Sequence, residues 1–239
     1  MRSAKKWFYP GVIALVIHGG IAQADGVVID KIYHPYVQPL ERELEWRAIW
    51  QNQQPGRPDD LQLYQLAYGQ AIGDRWFAEV YLIGENSSEG SFEVEAYEFE
   101  LQRQLTEQGE FWADWGLLLE LEKERDLDAW EFSTGLLVEK EWGRWSGTAN
   151  LFLAYEWGDE IADETETKLN LQFRYRHSRS LEPALEFYSG EDTTGIGPAI
   201  MGRVPLGGRK QLGWEAGAIF GIDSDSPDTT LRFLLEFEF

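Results

Sequence analysis

The residues able to do covalent or metal chemistry are few. The chain has no cysteine, which removes thiolate nucleophiles, thiolate metal sites and disulfides. Beyond His18 in the N-terminal apolar run, its histidines are His34 and His177. His177-Ser178 has the residue types of a base and a nucleophile, but such a pair works only with a third, orienting group within hydrogen-bond reach. His34 with Asp30 offers two weak ligands without a third, too few to fix a metal. Carboxylate is what the chain has in quantity, 42 Asp and Glu against 21 Lys and Arg. A phosphate-binding surface needs clustered Lys and Arg, so nucleic acid is not an expected partner, whereas cations or basic partners are. Many of the carboxylates recur at every second position, as in Glu41, Glu43 and Glu45 followed by Arg47. In an extended chain such residues share one face, so the chemistry of this sequence is that of charged strand faces.

The N-terminus sets the compartment. Met1-Arg2-Ser3-Ala4-Lys5-Lys6 is basic, Trp7 to Ile21 is largely apolar, and Ala22-Gln23-Ala24 has the small-x-small form of a cleavage site. Residues 1 to 24 therefore read as a removable secretory signal. Its loss takes three basic residues and no acidic one, leaving 18 against 42, a formal charge of −24. After residue 24 no apolar run nears the ~18 residues of a membrane helix. A β-barrel escapes that test because only alternate residues face lipid.

Elements that would position the charged rows follow in order. Asp25 to Pro39 has no clean period and carries Pro35 and Pro39, so it reads as a periplasmic leader or short plug. Leu40 to Trp50 sets Leu44, Trp46, Ala48 and Trp50 against the Glu41 to Arg47 row. Leu61 to Ile72 and Arg75 to Gly84 form a hairpin closed by Gly73-Asp74. Both its faces are apolar, and Glu79 sets the phase: Trp76, Ala78, Val80 and Leu82 on one side, Phe77, Glu79 and Tyr81 on the other. Ser91 to Leu105 changes phase between Phe92-Val94-Ala96 and Tyr97-Phe99-Leu101, which implies either a bulge or a strand that starts later than Ser91. The turn Thr106 to Glu110 leads to Phe111 to Glu122, and Ala129 to Glu141, Trp145 to Trp157 and Thr167 to Arg176 continue the alternation. Leu181 to Ser189, Ile196 to Leu206, Gln211 to Ile222 and Thr229 to Phe239 make about twelve strands. Connections after even strands are short and those after odd strands longer and mostly acidic, as in Gly158 to Glu166 and Asp223 to Asp228. Most strands are near the roughly 9 to 11 residues that cross a bilayer tilted.

In the last strand, Leu231, Phe233, Leu235, Phe237 and the terminal Phe239 share one face, and Thr230, Arg232, Glu236 and Glu238 share the other with Leu234. An amphipathic strand ending on an aromatic at the carboxyl terminus resembles the terminal strand of bacterial outer-membrane β-barrel proteins. The resemblance is architectural and covers the chain from about Leu40. It implies an all-β, antiparallel, up-and-down transmembrane barrel in the outer membrane of a Gram-negative cell. It also implies that those five residues are read by the barrel-insertion machinery, and that the monomer is surrounded by outer-membrane lipid. Aromatics near strand ends on the apolar face (Trp46, Trp50, Trp76, Trp130, Trp145, Tyr155, Trp157) suit interfacial girdles. A soluble barrel would instead bury the apolar face inside.

The opposite face would then line a lumen: Glu41, Glu43, Glu45, Glu79, Asp114, Glu120, Glu131 and Glu139 against Arg47, Lys168, Arg174, Arg176, Arg203 and Arg232. Such a lining suits a narrow passive channel for small cationic or zwitterionic solutes. The alternative is a closed scaffold in which these side chains pair across the lumen, with acidic loops (Asp159, Glu160, Asp163, Glu164, Glu166) holding cations or a partner. An outer-membrane lipid-modifying enzyme is the weakest reading, because His177 falls at the turn end away from the outer leaflet. No cofactor and no resident metal is expected.

Overall fold

The computed structural model describes residues 28–55, 60–86, 91–159 and 161–239. The signal expected over residues 1 to 24, the first three residues of the expected leader, and Glu160 lie outside them. Among the described residues the chain forms twelve strands: β1 (Arg42–Asn52), β2 (Leu61–Ile72), β3 (Trp76–Asn86), β4 (Glu93–Gln104), β5 (Asp114–Glu124), β6 (Ala129–Trp142), β7 (Trp145–Gly158), β8 (Glu164–Tyr175), β9 (Glu182–Ser189), β10 (Thr194–Gly207), β11 (Lys210–Gly221) and β12 (Thr229–Glu238). Each pairs antiparallel with its sequence neighbour, and β1 pairs with β12 to close the ring. Closure satisfies every strand edge, which an open sheet in lipid could not do. We call the end where β1 begins and β12 finishes the proximal mouth, and the opposite end the distal mouth.

Register sorts the side chains by face. Leu44↔Phe237, Trp46↔Leu235, Ala48↔Phe233 and Trp50↔Leu231 are opposite one another on the outside, and Leu66, Val80, Leu82, Phe99, Phe132, Leu151, Leu153, Phe173 and Leu185 extend that exposed apolar belt around the ring. Near strand ends the aromatics stack, Trp130 on Trp157 and Trp145 on Phe173. The inner face carries Glu43, Glu45, Arg47, Glu79, Glu100, Glu139, Glu186 and Arg232, all buried. Apolar outside and charged inside is the order required of a barrel whose outer solvent is hydrocarbon.

The hairpin phase set by Glu79 holds: Glu79, Phe77 and Tyr81 are buried inside, and Val80 and Leu82 are exposed outside. The phase change in β4 is a register shift between Ile83 and Gly84, where Val94 and Ala96 bracket an extra Glu95. Several boundaries differ from the sequence reading: β8, expected from Thr167, begins at Glu164 within the expected acidic loop, and β10, expected from Ile196, begins at Thr194. The β2–β3 connection is three residues, Gly73 to Arg75, with Gly73 in the left-handed region at φ +72°. The strand expected to start at Phe111 starts at Asp114. Its alternation continues backwards through Phe111 into a loop that side chains hold in place: Asp114 accepts from the Gly109 amide at 2.6 Å and Thr106 from the Trp115 amide at 2.9 Å.

Candidate functional site: a lumen threaded by the N-terminal segment

Residues 28–39 run through the barrel. Val28 packs against Gly190 and Ile29 against Gly195 and Ile219 at the distal mouth, while Val37 reaches Gln104 at the proximal one. Pro35 and Pro39 cannot donate to a ladder, so this segment adds no strand to the sheet. Its backbone is satisfied by wall side chains instead. Asn150 on β7 takes the Tyr33 amide and donates to the Tyr33 carbonyl, both at 2.8 Å. Gln102 donates to the carbonyls of His34 and Tyr36 at 2.9 and 3.0 Å, and the Tyr188 hydroxyl to that of Asp30 at 2.8 Å. The wall leaves room where the segment presses closest: a Cβ at Gly116 would sit 3.0 Å from Pro35.

Geometry says how much space remains. Twelve strands about 4.8 Å apart, tilted about 40°, give a backbone radius of about 12 Å. One extended chain along the axis then lies near the ~10 Å face-to-face spacing of packed sheets. A single threaded segment therefore fills most of the lumen. Of the two readings of residues 25 to 39, leader or short plug, the described part lies inside the barrel as a plug would, and its His34 is bonded to Glu139.

Charges divide the lumen into two sectors. In the first, every cation has its carboxylate. Arg232, fully buried, donates to Glu186 and, at 2.9 Å, to Glu215. Glu139 on β6 gathers His34 at 2.6 Å and Arg174 and Arg176 at 3.4 Å each. Arg47 pairs with Glu45 at 2.5 Å and with Asp30, and Lys31 reaches Glu45 at 3.0 Å and Glu79 at 3.7 Å. Asp30 and His34 thus go to different partners and do not meet as half a metal site.

The second sector, on β3 to β8, is mostly carboxylate. Glu79↔Glu100↔Glu120 are directly opposite across three strands, and Glu98↔Glu122↔Glu131↔Glu156 across four. Among the described residues Lys168 is the wall cation that pairs within this sector, 4.0 Å from Glu131 and 3.8 Å from Glu166. Tyr33 enters from the segment, its hydroxyl donating to Glu100 at 2.5 Å, and its ring packs with Leu118, Leu137 and Phe152. Glu98, Glu122 and Glu131 are only half-buried, so water reaches them.

Of the residues expected to line the lumen, Glu43, Glu45, Arg47, Glu79, Asp114, Glu139 and Arg232 are buried on the inner face, and Glu120, Glu131, Lys168 and Arg174 are partly buried there. Asp114 accepts from the Tyr36 hydroxyl at 2.8 Å. Arg176, beyond the end of β8, pairs with Glu141 at 2.6 Å. Glu41 precedes β1 at the proximal rim, where Arg203 pairs with Glu238 at 3.6 Å. Sequence reasoning missed Glu98, Glu100, Glu186 and Glu215 on the wall and Lys31, Tyr33 and Tyr36 on the segment. Glu98 and Glu100 were legible, since they alternate with Tyr97, Phe99 and Leu101. In the β11–β12 loop, outside the membrane, the Ser226 hydroxyl bonded to Asp223 holds that carboxyl below its usual range.

No protein-family model matches the chain, and no curated protein matches it. Solved structures do. The KdgM porin in complex with disordered oligogalacturonate aligns with a TM-score of 0.53 at 9% identity, over 82% of this chain and 98% of that one. The NanC porin gives 0.54 at 8%, over 82% and 98%. An outer-membrane channel from Pseudomonas putida F1 gives 0.57 at 11%, over 88% and 98%. The fold is that of bacterial outer-membrane channels, and with the apolar belt it makes this chain an outer-membrane β-barrel.

Proposed function

We propose that the protein is a narrow passive channel for small cations, restricted by its own N-terminal segment. The observation carrying this reading is the carboxylate row Glu98, Glu122 and Glu131 on β4 to β6, set directly opposite one another and still reached by water, with Lys168 the wall cation beside it. A one-sign wall beside a low-dielectric core concentrates counter-ions and excludes ions of its own charge. Oligogalacturonate, bound in the KdgM structure, is a polyanion, and this wall disfavours that class. The barrel works as a monomer in outer-membrane lipid, delivered there through the strand that ends in Phe239. We expect no catalytic role: His34 is engaged by Glu139, and His177 and Ser178 lie in the β8–β9 turn at the proximal end.

A second reading, a closed scaffold, is favoured by one observation: the segment is fastened along its length by wall side chains. Planar-bilayer recording of the refolded protein in a salt gradient separates the two. A cation-selective reversal potential that moves toward zero in Glu98→Gln/Glu122→Gln supports the channel. A folded barrel that never conducts, even with residues 28–37 deleted, refutes it.

A further inference from the structure

At the point where Tyr33 meets the wall, three carboxylates converge. Glu98, Glu100 and Glu120 each place an oxygen so that all three lie within 4.8 Å of one another. The register forces this, since Glu100 is opposite Glu120 and Glu98 is two residues along β4 on the same face. Directly opposed like charges destabilise a sheet unless something positive joins them.

The donors in reach do not suffice. Ser133 donates to Glu120, and Tyr33 occupies Glu100 Oε1. Glu100 is only 3% exposed, yet its Oε2 has no donor among the described residues. On the next strand Glu79, opposite Glu100, also keeps a buried oxygen without a donor. A carboxylate oxygen removed from water and left unmatched is costly whether or not other acids lie nearby. The Glu98 carboxyl lies within hydrogen-bonding reach of Glu100 and Glu122, and only a shared proton or a metal ion makes such contacts favourable. A second trio, Glu43, Glu45 and Glu236, differs because Arg47 and Lys31 already serve Glu45.

We propose that Glu98, Glu100 and Glu120 bind a divalent cation of the calcium type. The donors are hard oxygens, and calcium accepts six to eight of them at about 2.3–2.6 Å in irregular geometry, whereas magnesium demands a near-ideal octahedron. Water completes the shell from the lumen side, where Glu98 and Glu120 are half-buried. Because Tyr33 shares Glu100 with the ion, ion binding and docking of the N-terminal segment are linked, and each changes the affinity of the other by the same factor. The assignment stands whether or not the lumen conducts.

Calcium binding to the refolded full-length protein, stripped with EDTA and held in zwitterionic detergent at neutral pH, is measured by equilibrium dialysis. One ion per barrel is expected, with affinity weakened about 10- to 100-fold in Glu98→Gln and unchanged in the loop variant Asp159→Asn/Asp163→Asn. Glu98→Asp, which keeps the charge but shortens the reach, guards against misfolding of the first variant and should also bind less tightly. Wild-type protein that binds no calcium overturns the proposal and leaves shared protons in the cluster. Binding that survives both Glu98 variants and is lost in the loop variant overturns it too.

Discussion

Replacing Asn150 by alanine should release the N-terminal segment from the wall. Asn150 is fully buried and makes two hydrogen bonds to the backbone of Tyr33, each 2.8 Å. Alanine removes both and leaves an amide and a carbonyl buried without partners, at about 1–3 kcal/mol each. The docked state then loses about 2–6 kcal/mol, which raises the undocked fraction about 30-fold to about 10⁴-fold at 1.4 kcal/mol per factor of ten. The chain has no cysteine, so Ile32→Cys, at a buried position on the segment, supplies a single label site. With a membrane-impermeant maleimide and fast redocking, the labelling rate follows the undocked population. The rate in Asn150→Ala/Ile32→Cys should exceed that in Ile32→Cys by the same factor. Leu151→Ala, next along β7 but facing out, should change it little. Equal rates with and without Asn150 would refute the claim that side chains of the wall hold the segment in place.

Other perturbations test the remaining contacts. Arg232→Leu should lower the urea stability of the refolded barrel by about 3–5 kcal/mol, because it leaves the buried Glu186 carboxylate without its cation. Leu151→Arg, on the exposed belt in mid-strand, should cost about 2–4 kcal/mol in lipid; a neutral result would mean that this face does not meet hydrocarbon. Gly197→Ala should destabilise more than Gly135→Ala, as read from unfolding midpoints. At Gly197 the added Cβ meets the Ala218 carbonyl oxygen at 1.9 Å, fixed backbone, whereas at Gly135 it meets the Phe152 ring at 2.5 Å, which can turn aside.

By itself the sequence determined the strands, their faces and their number. Strand alternation is a local property with a period of two residues, so Trp46-Ala48-Trp50 against Glu45-Arg47, or Phe233-Leu235-Phe237 against Arg232-Glu236, can be read without knowing any neighbour. One charge sufficed to phase an ambiguous hairpin, since Glu79 can face only the polar side of a membrane barrel. Strand ends were less legible at Phe111, because apolar alternation runs on past the last ladder hydrogen bond.

What the tertiary structure alone decided is where distant residues meet. Tyr33 and Asn150 are 117 positions apart, and nothing in the period of either segment marks them as partners. The same holds for Glu139, which collects His34, Arg174 and Arg176, while Glu98 and Glu120 on neighbouring strands pair with no arginine among the described residues. Composition supplied twice as many acids as bases, but only closure of the ring and passage of residues 28–39 through it fixed which carboxylates are neutralised. The unevenness of that pairing, a product of register rather than of local sequence, is what gives the lumen its charged wall.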